Sequence, residues 1–169
     1  FVLCIFITFF SFGQEREMMY QIYDTVSDEC GYINKDGDTL IPFGECVHCF
    51  SDSMDFAIVL RHEDRELGIP ALNSNGEEVF RVFVYDNGPD YIEDGTFRII
   101  KNGLVGYATE AGKVIVPPMY EAAWPFKNGH ALVSFKATKV QDGEHWIWFE
   151  EDPFYIDKNG NRHVNQQED

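Results

Sequence analysis

The chain has 169 residues, of which 44% are hydrophobic and 25% are charged, a balance that supports a packed core in one domain and excludes global disorder. Its formal net charge of −16 repels phosphate backbones and anionic lipid, which argues against nucleic acid and bare membrane as partners. Aromatic residues make up 15% of the chain and favour strands over helices.

The first thirteen residues are apolar and uncharged, like the hydrophobic part of a secretory signal peptide. Ser11 and Gly13 are small residues at −3 and −1 relative to a cut before Gln14. The run is short for a membrane span. We therefore interpret residues 1–13 as a signal-peptide remnant and predict an exported protein that is periplasmic, surface-associated or secreted, and free of the membrane after cleavage. Because no basic segment precedes the run, we expect the natural chain to begin further upstream.

Residues 14–29 form an N-terminal segment whose apolar spacing is mixed, so that a short helical turn and a first strand both fit it. At the other end of the chain, residues 164–169 are polar, and we predict a disordered tail there.

Between residues 30 and 163 one sequence motif is repeated at unequal spacing. Each copy places a glycine between two strand-like runs, where glycine supplies the positive φ that a tight hairpin turn requires. Proline then ends the second strand, because it cannot donate to a sheet ladder, and an aromatic residue and a third apolar run follow. The four turn glycines are Gly37, Gly76, Gly112 and Gly160.

This pattern predicts an all-β domain of about three repeats and a partial fourth. Each unit is three short antiparallel strands with a corner between the second and the third. Such a unit cannot bury its apolar face alone, so we expect the meanders to stack into one curved sheet, solenoid-like or partly closed. A small propeller-like ring is the alternative.

Three cysteines follow the leader: Cys30, and Cys46 with Cys49 in "CVHC". In an exported protein they predict one disulfide, of Cys30 with either Cys46 or Cys49, and one remaining thiol. Three buried free thiols are an alternative. Another alternative is a zinc site of the three thiolates, completed by His48 or His62. A redox motif is disfavoured, since "CVHC" falls in a corner between strands instead of at a strand-to-helix junction.

Two acidic segments could each bind a cation, but a turn or a solvated loop explains each of them better. In "NKDGD", Asn34, Asp36 and Asp38 alternate, but the EF-hand spacing fails, so a hairpin turn is favoured. The segment over residues 85–95 contains four acidic residues and is either a solvated loop or a weak cation site. These residues are Asp86, Asp90, Glu93 and Asp94.

An aromatic segment interrupts the last repeat with Trp146, Trp148 and Phe149. In a strand the two tryptophans share one face and Phe149 lies on the other. The segment is either a platform for a sugar or partner protein, or a core or terminal capping strand, which is the commoner use of such residues.

The third copy, "VGYATEAGKVIVPPMYEAAWPFKNGHALV", resembles the WG-repeat (KWG-type) pattern of bacterial proteins, and the first copy resembles it in part. The second copy is eroded, with "IPAL" in place of Gly-Tyr-Ile, and no Trp-Gly dipeptide occurs, since Cys30 and Val105 hold the tryptophan position. The resemblance implies a repeat scaffold, often exported, without a shared catalytic set. The matching residues are Gly106, Tyr107, Gly112, Pro117, Tyr120, Phe126, Gly129, Ala131 and Val133 in the third copy, and Gly31, Tyr32, Gly37, Pro42, Phe50 and Ala57 in the first.

No nucleophile elbow, zinc-protease helix motif or phosphate loop occurs in the sequence. We therefore predict a non-enzymatic scaffold without a cofactor, which binds a protein or glycan partner at the cell envelope or exterior. A carboxylate hydrolase of the envelope and a zinc protein using Cys30, Cys46, Cys49 and His48 are the alternatives. The predicted binding residues are Trp146, Trp148, Phe149, Asp90, Glu93 and Asp94.

Overall fold

The computed structural model describes residues 17–51, 53–61, 67–142 and 145–163, with the backbone alone at 53, 142 and 145–147. These residues form strands and turns and no helix, which confirms the all-β prediction. Accordingly, no helix in this part of the chain could span a membrane. The predicted leader and tail lie outside the described residues.

The strands are short and follow one another closely along the chain. In order they are β1 (Met19–Asp24), β2 (Glu29–Ile33), β3 (Thr39–Ile41), β4 (Cys46–Cys49), β5 (Ser53–Met54), β6 (Ala57–Arg61), β7 (Ile69–Leu72), β8 (Glu78–Val82), β9 (Val84–Tyr85), β10 (Gly88–Pro89), β11 (Thr96–Lys101), β12 (Leu104–Thr109), β13 (Val114–Tyr120), β14 (Ala122–Ala123), β15 (His130–Ser134), β16 (Lys136–Asp142), β17 (His145–Glu151), β18 (Phe154–Asp157) and β19 (Arg162–His163).

All four predicted hairpins are present: β2–β3, β7–β8, β12–β13 and β18–β19. Their turn glycines have the expected positive φ, from 71° at Gly112 to 88° at Gly37. Glycine is required there because this backbone conformation strains residues that carry a Cβ. Even the eroded second copy forms its hairpin turn at Gly76, although the rest of the repeat motif is missing there.

A side chain three residues before each turn glycine closes the turn. The Oδ1 of Asn73 accepts the backbone N–H groups of Asn75 and Glu77, both at 3.0 Å, and Asn34 and Asp157 act in the same way in their own turns. In the third copy the Thr109 hydroxyl takes this position and accepts the Lys113 N–H at 3.2 Å. In the first copy, the Asn34 oxygen that resembled a calcium ligand therefore holds the hairpin turn.

The last strand of each copy pairs with the first strand of the next copy. β6 pairs with β7, β11 with β12, and β15 with β18, all antiparallel. The N-terminal segment supplies the corresponding strand for the first hairpin, because β1 pairs with β2, so the strand alternative is correct for it. The hydrogen-bonded meanders are therefore shifted by one strand from the copies seen in the sequence.

The strands fall into five sheets, and none of these closes on itself within the described residues. A seven-stranded sheet has the order β13-β12-β11-β8-β7-β6-β4, and two four-stranded sheets have the orders β3-β2-β1-β5 and β14-β15-β18-β19. Two-stranded sheets are formed by β9 with β10 and by β16 with β17. The strands described here thus do not form the single curved sheet that the repeat suggested.

The prolines of the third copy do not end its second strand, contrary to the sequence prediction. β13 continues through Pro117 and Pro118 to Tyr120, whereas Pro42 directly follows β3 as expected. β13 is an edge strand with an irregular register, so a proline that lacks an N–H leaves no ladder bond unmade on the open side.

The Gly-Tyr pair of the repeat has a packing role in both of the copies that keep it. Tyr32 and Tyr107 are completely buried. Their hydroxyls donate at 2.7 Å to carbonyl oxygens in the corner segment, those of Ser51 and Trp124 respectively. Burial raises the pKa of the Tyr107 hydroxyl, which keeps it protonated as the donor.

The preceding glycine is needed because the second strand passes directly over it. A Cβ on Gly106 would lie 2.4 Å from the Val116 carbonyl oxygen and 2.5 Å from the Pro118 nitrogen. A Cβ on Gly31 would lie 2.6 Å from the Ile41 carbonyl oxygen. Backbone atoms cannot move aside as a flexible side chain can, so these two positions exclude any larger residue.

We expect Gly106→Ala to lower the free energy of unfolding by about 1–3 kcal/mol or more, since the added methyl group overlaps backbone atoms. Gly88→Ala is the control, because Gly88 has no atom within 4 Å of a built Cβ and no positive φ. Urea unfolding followed by circular dichroism measures both. Equal stability of the two variants would contradict the close backbone approach.

We expect Asn73→Ala to lower the free energy of unfolding by about 1 kcal/mol, because two backbone N–H groups lose their acceptor. Asn73→Asp keeps the oxygen, as Asp157 does in the last turn, and should retain most of the stability. Ser74→Ala, in the same turn, is the matched control. If all three variants unfold at the same urea concentration, the turn does not depend on this side chain.

Candidate functional site

The aromatic segment lies on a hairpin of its own. β16 and β17 pair over seven residues, from Lys136–Glu151 to Asp142–His145, and form a separate two-stranded sheet. The segment therefore does not add a strand to any of the repeat sheets.

The two faces of this hairpin differ. Phe149 lies opposite Thr138 and is 59% exposed, and Val140, on the same face, is exposed as well. On the other face Trp148 is half-buried beneath Lys139, whose ammonium nitrogen lies 5.5 Å from the centre of the Trp148 ring. The backbone of Trp146 pairs with Gln141, but its side chain lies outside the described residues. One apolar face is thus presented to solvent.

The root of the hairpin is fixed by Ser134, which is completely buried. Its hydroxyl lies 2.5 Å from the Glu151 carbonyl oxygen and 2.7 Å from that of Lys136, and it accepts the Lys136 N–H at 3.1 Å. The Glu121 carboxylate accepts the N–H of Ala137 at 2.8 Å. These bonds hold both ends of the hairpin where the chain leaves the repeat sheets.

Asp90, predicted as a binding residue, is instead buried in an ion pair with Arg98. The Arg98 guanidinium donates to both Asp90 oxygens, at 2.5 and 3.0 Å, and the Arg98 backbone N–H donates to Asp90 at 2.8 Å. Arg98 also donates to the Ala123 carbonyl at 3.1 Å and lies 4.4 Å from the centre of the Phe83 ring. Asp90 therefore joins elements of the core and is not available to a partner.

Glu93 and Asp94 lie on the surface, where Asp94 connects three turns. Its carboxylate accepts the Gly129 N–H at 2.7 Å and pairs with the Lys158 ammonium at 3.2 Å. These contacts, the Gly129 bond foremost, hold the pKa of the Asp94 carboxyl below its usual value. Glu93 is exposed and closes a tight turn with Thr96 through the backbone. The acidic loop thus does not gather its carboxylates at one point.

The cysteines form a disulfide between Cys30 of β2 and Cys49 of β4, with Cα atoms 6.2 Å apart. A bulge between Cys46 and His48 turns both Cys46 and Cys49 to the buried face. Cys46 keeps a buried thiol, and burial raises its pKa. Such a thiol is protonated at neutral pH and is a poor nucleophile.

This arrangement does not fit the alternative of a zinc site, because two of its four proposed ligands, Cys30 and Cys49, are joined in a disulfide and supply no thiolate. His48 lies on the exposed face and contacts the Phe50 ring, with the ring centres 4.6 Å apart, and His62 lies outside the described residues. Across residues 17–51, 53–61, 67–142 and 145–163, no group of three or more His, Cys, Asp or Glu side chains could hold a metal ion.

Sequence reasoning missed Arg98 and Ser134. Arg98 had a visible sign, because it is a cation in the apolar strand "FRIIK", where a charge must be paired if it is buried. Its partner is eight residues away in a loop and could not be chosen among several acids. Ser134 carried no distinguishing pattern.

The family comparison agrees with the geometry of the third copy. A family model described as a WG-containing repeat matches residues 106–136, which run from β12 to the start of β16. Residues 106–136 therefore match a WG-containing repeat, as the resemblance implied, and this copy contains the buried tyrosine and the closely approached glycine. Neither the curated proteins nor the solved structures gave a match.

We expect Asp90→Ala to lower the free energy of unfolding by about 3–5 kcal/mol, since it leaves the Arg98 guanidinium buried without a counter-charge. Glu93→Ala, which removes an exposed carboxylate in the same loop from a residue without a positive φ, is the control and should be nearly neutral. The double variant Asp90→Leu/Arg98→Met should recover much of the loss. Thermal and urea unfolding measure all three, and a neutral Asp90→Ala would show that the ion pair contributes little.

Proposed function

We propose that this WG-repeat protein is an exported, non-enzymatic scaffold that binds a protein or glycan partner at the cell envelope or exterior through the β16–β17 hairpin. The repeats, arranged in a solenoid-like manner, would serve as the rigid support. The observation that carries the proposal is the exposed Phe149 on a hairpin that stands outside the repeat sheets.

The exposure of Phe149 has no structural use that the described residues reveal. Leaving an aromatic ring in water is less favourable than burying it. Large exposed apolar side chains that cluster on one face often mark an interaction site. Val140 on the same face and Trp148 on the other extend the apolar surface along the hairpin. Aromatic side chains carry much of the binding energy in protein interfaces.

The polar side chains suggested for other roles support a scaffold over an enzyme. Asp90 pairs with Arg98, Asp94 pairs with Lys158, and Asn34 closes its turn. Each of these polar side chains thus has a partner that maintains the fold. A carboxylate hydrolase would need a pair of carboxylates held together across a substrate, whereas Asp90 and Asp94 are each bound to a cation of the fold.

The test is capture from the envelope extract and culture medium of the source organism, with the chain immobilised as bait. Bound material is identified by mass spectrometry and glycan analysis, and the affinity for the purified species is then measured. We expect Trp148→Ala/Phe149→Ala to weaken binding at least about tenfold, since aromatic hot spots typically contribute this much.

Phe43→Ala is the matched control, because Phe43 is also an exposed phenylalanine, in a corner remote from the hairpin in sequence. Circular dichroism of each variant confirms that the fold is kept. Full binding by the hairpin variant would contradict the site. Turnover of a defined substrate that one point mutation abolishes would contradict the non-enzymatic role.

A further inference from the structure

A groove of about 380 Å³ lies between β13 and the β18–β19 hairpin. The residues that give it its chemistry are Met119, Tyr120, Phe135, Phe154, Asn159 and Arg162. Its volume falls in the range of sites that hold small ligands. Trp148 and Phe149 are not part of its lining, so this groove is separate from the surface proposed above.

Three aromatic rings form the apolar wall of the groove. The ring centres of Tyr120 and Phe135 lie 5.0 Å apart, those of Phe135 and Phe154 5.4 Å, and those of Tyr120 and Phe154 6.1 Å. Phe135 is 52% exposed and Met119 is 41% exposed, so the wall is open to solvent. A flat apolar ring placed here would contact aromatic groups that are already fixed against one another.

The rim of the groove is cationic. The Arg162 guanidinium lies 4.5 Å from the centre of the Phe154 ring, and among the described residues no carboxylate forms an ion pair with it. No Asp or Glu belongs to the described lining, although the chain has 29 acidic residues against 13 Lys and Arg. A positive group beside apolar rings, in a protein that is otherwise strongly acidic, favours an anion on an apolar body.

We propose that this groove binds a small amphiphile that has an aromatic body and a single anionic group, a carboxylate or a sulfonate. The aromatic body contacts Phe135 and Phe154, and the anionic group pairs with Arg162. This inference goes beyond the scaffold role and does not depend on the hairpin surface.

The test uses two fluorescent probes with the same ring system. 1-Anilinonaphthalene-8-sulfonate carries the anion, and N-phenyl-1-naphthylamine lacks it. We expect the first probe to occupy one site on the folded chain, and Arg162→Gln to weaken it about threefold to tenfold, as for loss of a partly exposed charged contact. The neutral probe should change by less than about twofold. Phe135→Ala should weaken both probes.

Phe43→Ala and Lys127→Gln are the matched controls, an exposed phenylalanine and an exposed cation outside the groove. Because Phe135 and Arg162 are exposed, neither variant should unfold the chain, and circular dichroism checks this. If Arg162→Gln affects both probes alike or neither, the proposal is overturned. It is equally overturned if the controls weaken binding as much as the groove variants do.

Two further outcomes would assign the groove to another occupant and overturn the proposal. Anionic-probe binding that becomes severalfold tighter when residues 164–169 are removed would show that those residues compete for the groove. A dimer in analytical ultracentrifugation that Phe135→Ala dissociates would show that a second copy covers the rings. Unchanged probe affinity without these residues, together with a monomer, supports the small-ligand site.

Discussion

The fold depends on one constraint, which is that the first strand of each of the four repeat hairpins is hydrogen-bonded along both edges. Each of these strands lies between its own hairpin partner and an earlier strand: β2 is next to β1, β7 to β6, β12 to β11 and β18 to β15. A copy cut from its neighbour would therefore expose a full ladder of backbone groups as well as apolar surface. This is why the repeat exists: the copies complete one another, as in other repeat proteins.

The first strand of each repeat hairpin, which is central in its meander, restricts which side chains fit along it. In the first and third copies it carries the glycine under the second strand and the buried tyrosine tied to the corner. In the second copy Ala71 stands at the tyrosine position, and a cluster of phenylalanines fills the space, with the rings of Phe56 and Phe80 5.3 Å apart and those of Phe80 and Phe97 5.7 Å apart. In this copy, phenylalanine rings thus form the core cluster to which Ala71 belongs.

The sequence predicts the features that are set by local chemistry, such as turns and strands. It predicts few of the contacts between residues that are distant along the chain. The turn glycines and the third strands could be found, because a positive φ and an apolar run are local properties. The partner of each third strand could not be found, since both its own hairpin and the next one offer an open edge. The pair Asp90–Arg98 was missed for the same reason: burial selects one acid among several nearby, and burial is a property of the assembled sheets.

The use of arginine connects the fold to the candidate sites. Arg61 donates to the Gly76 carbonyl, Arg81 to those of Leu67 and Gly68, and Arg98 to Asp90 and the Ala123 carbonyl. In these three cases a scarce cation joins neighbouring segments of an acidic chain. Arg162 instead lies over a ring at the edge of a groove.

The net charge of −16 opposes the approach of an anion, but this repulsion is screened beyond about 8 Å at physiological ionic strength. At contact distance the nearest charge dominates, and in the groove that charge is positive. The aromatic wall must therefore supply most of the free energy of binding, and Arg162 must decide which apolar molecules are retained. A protein with this surface would select anions at short range while repelling polyanions, whose charges extend beyond the groove into the acidic field.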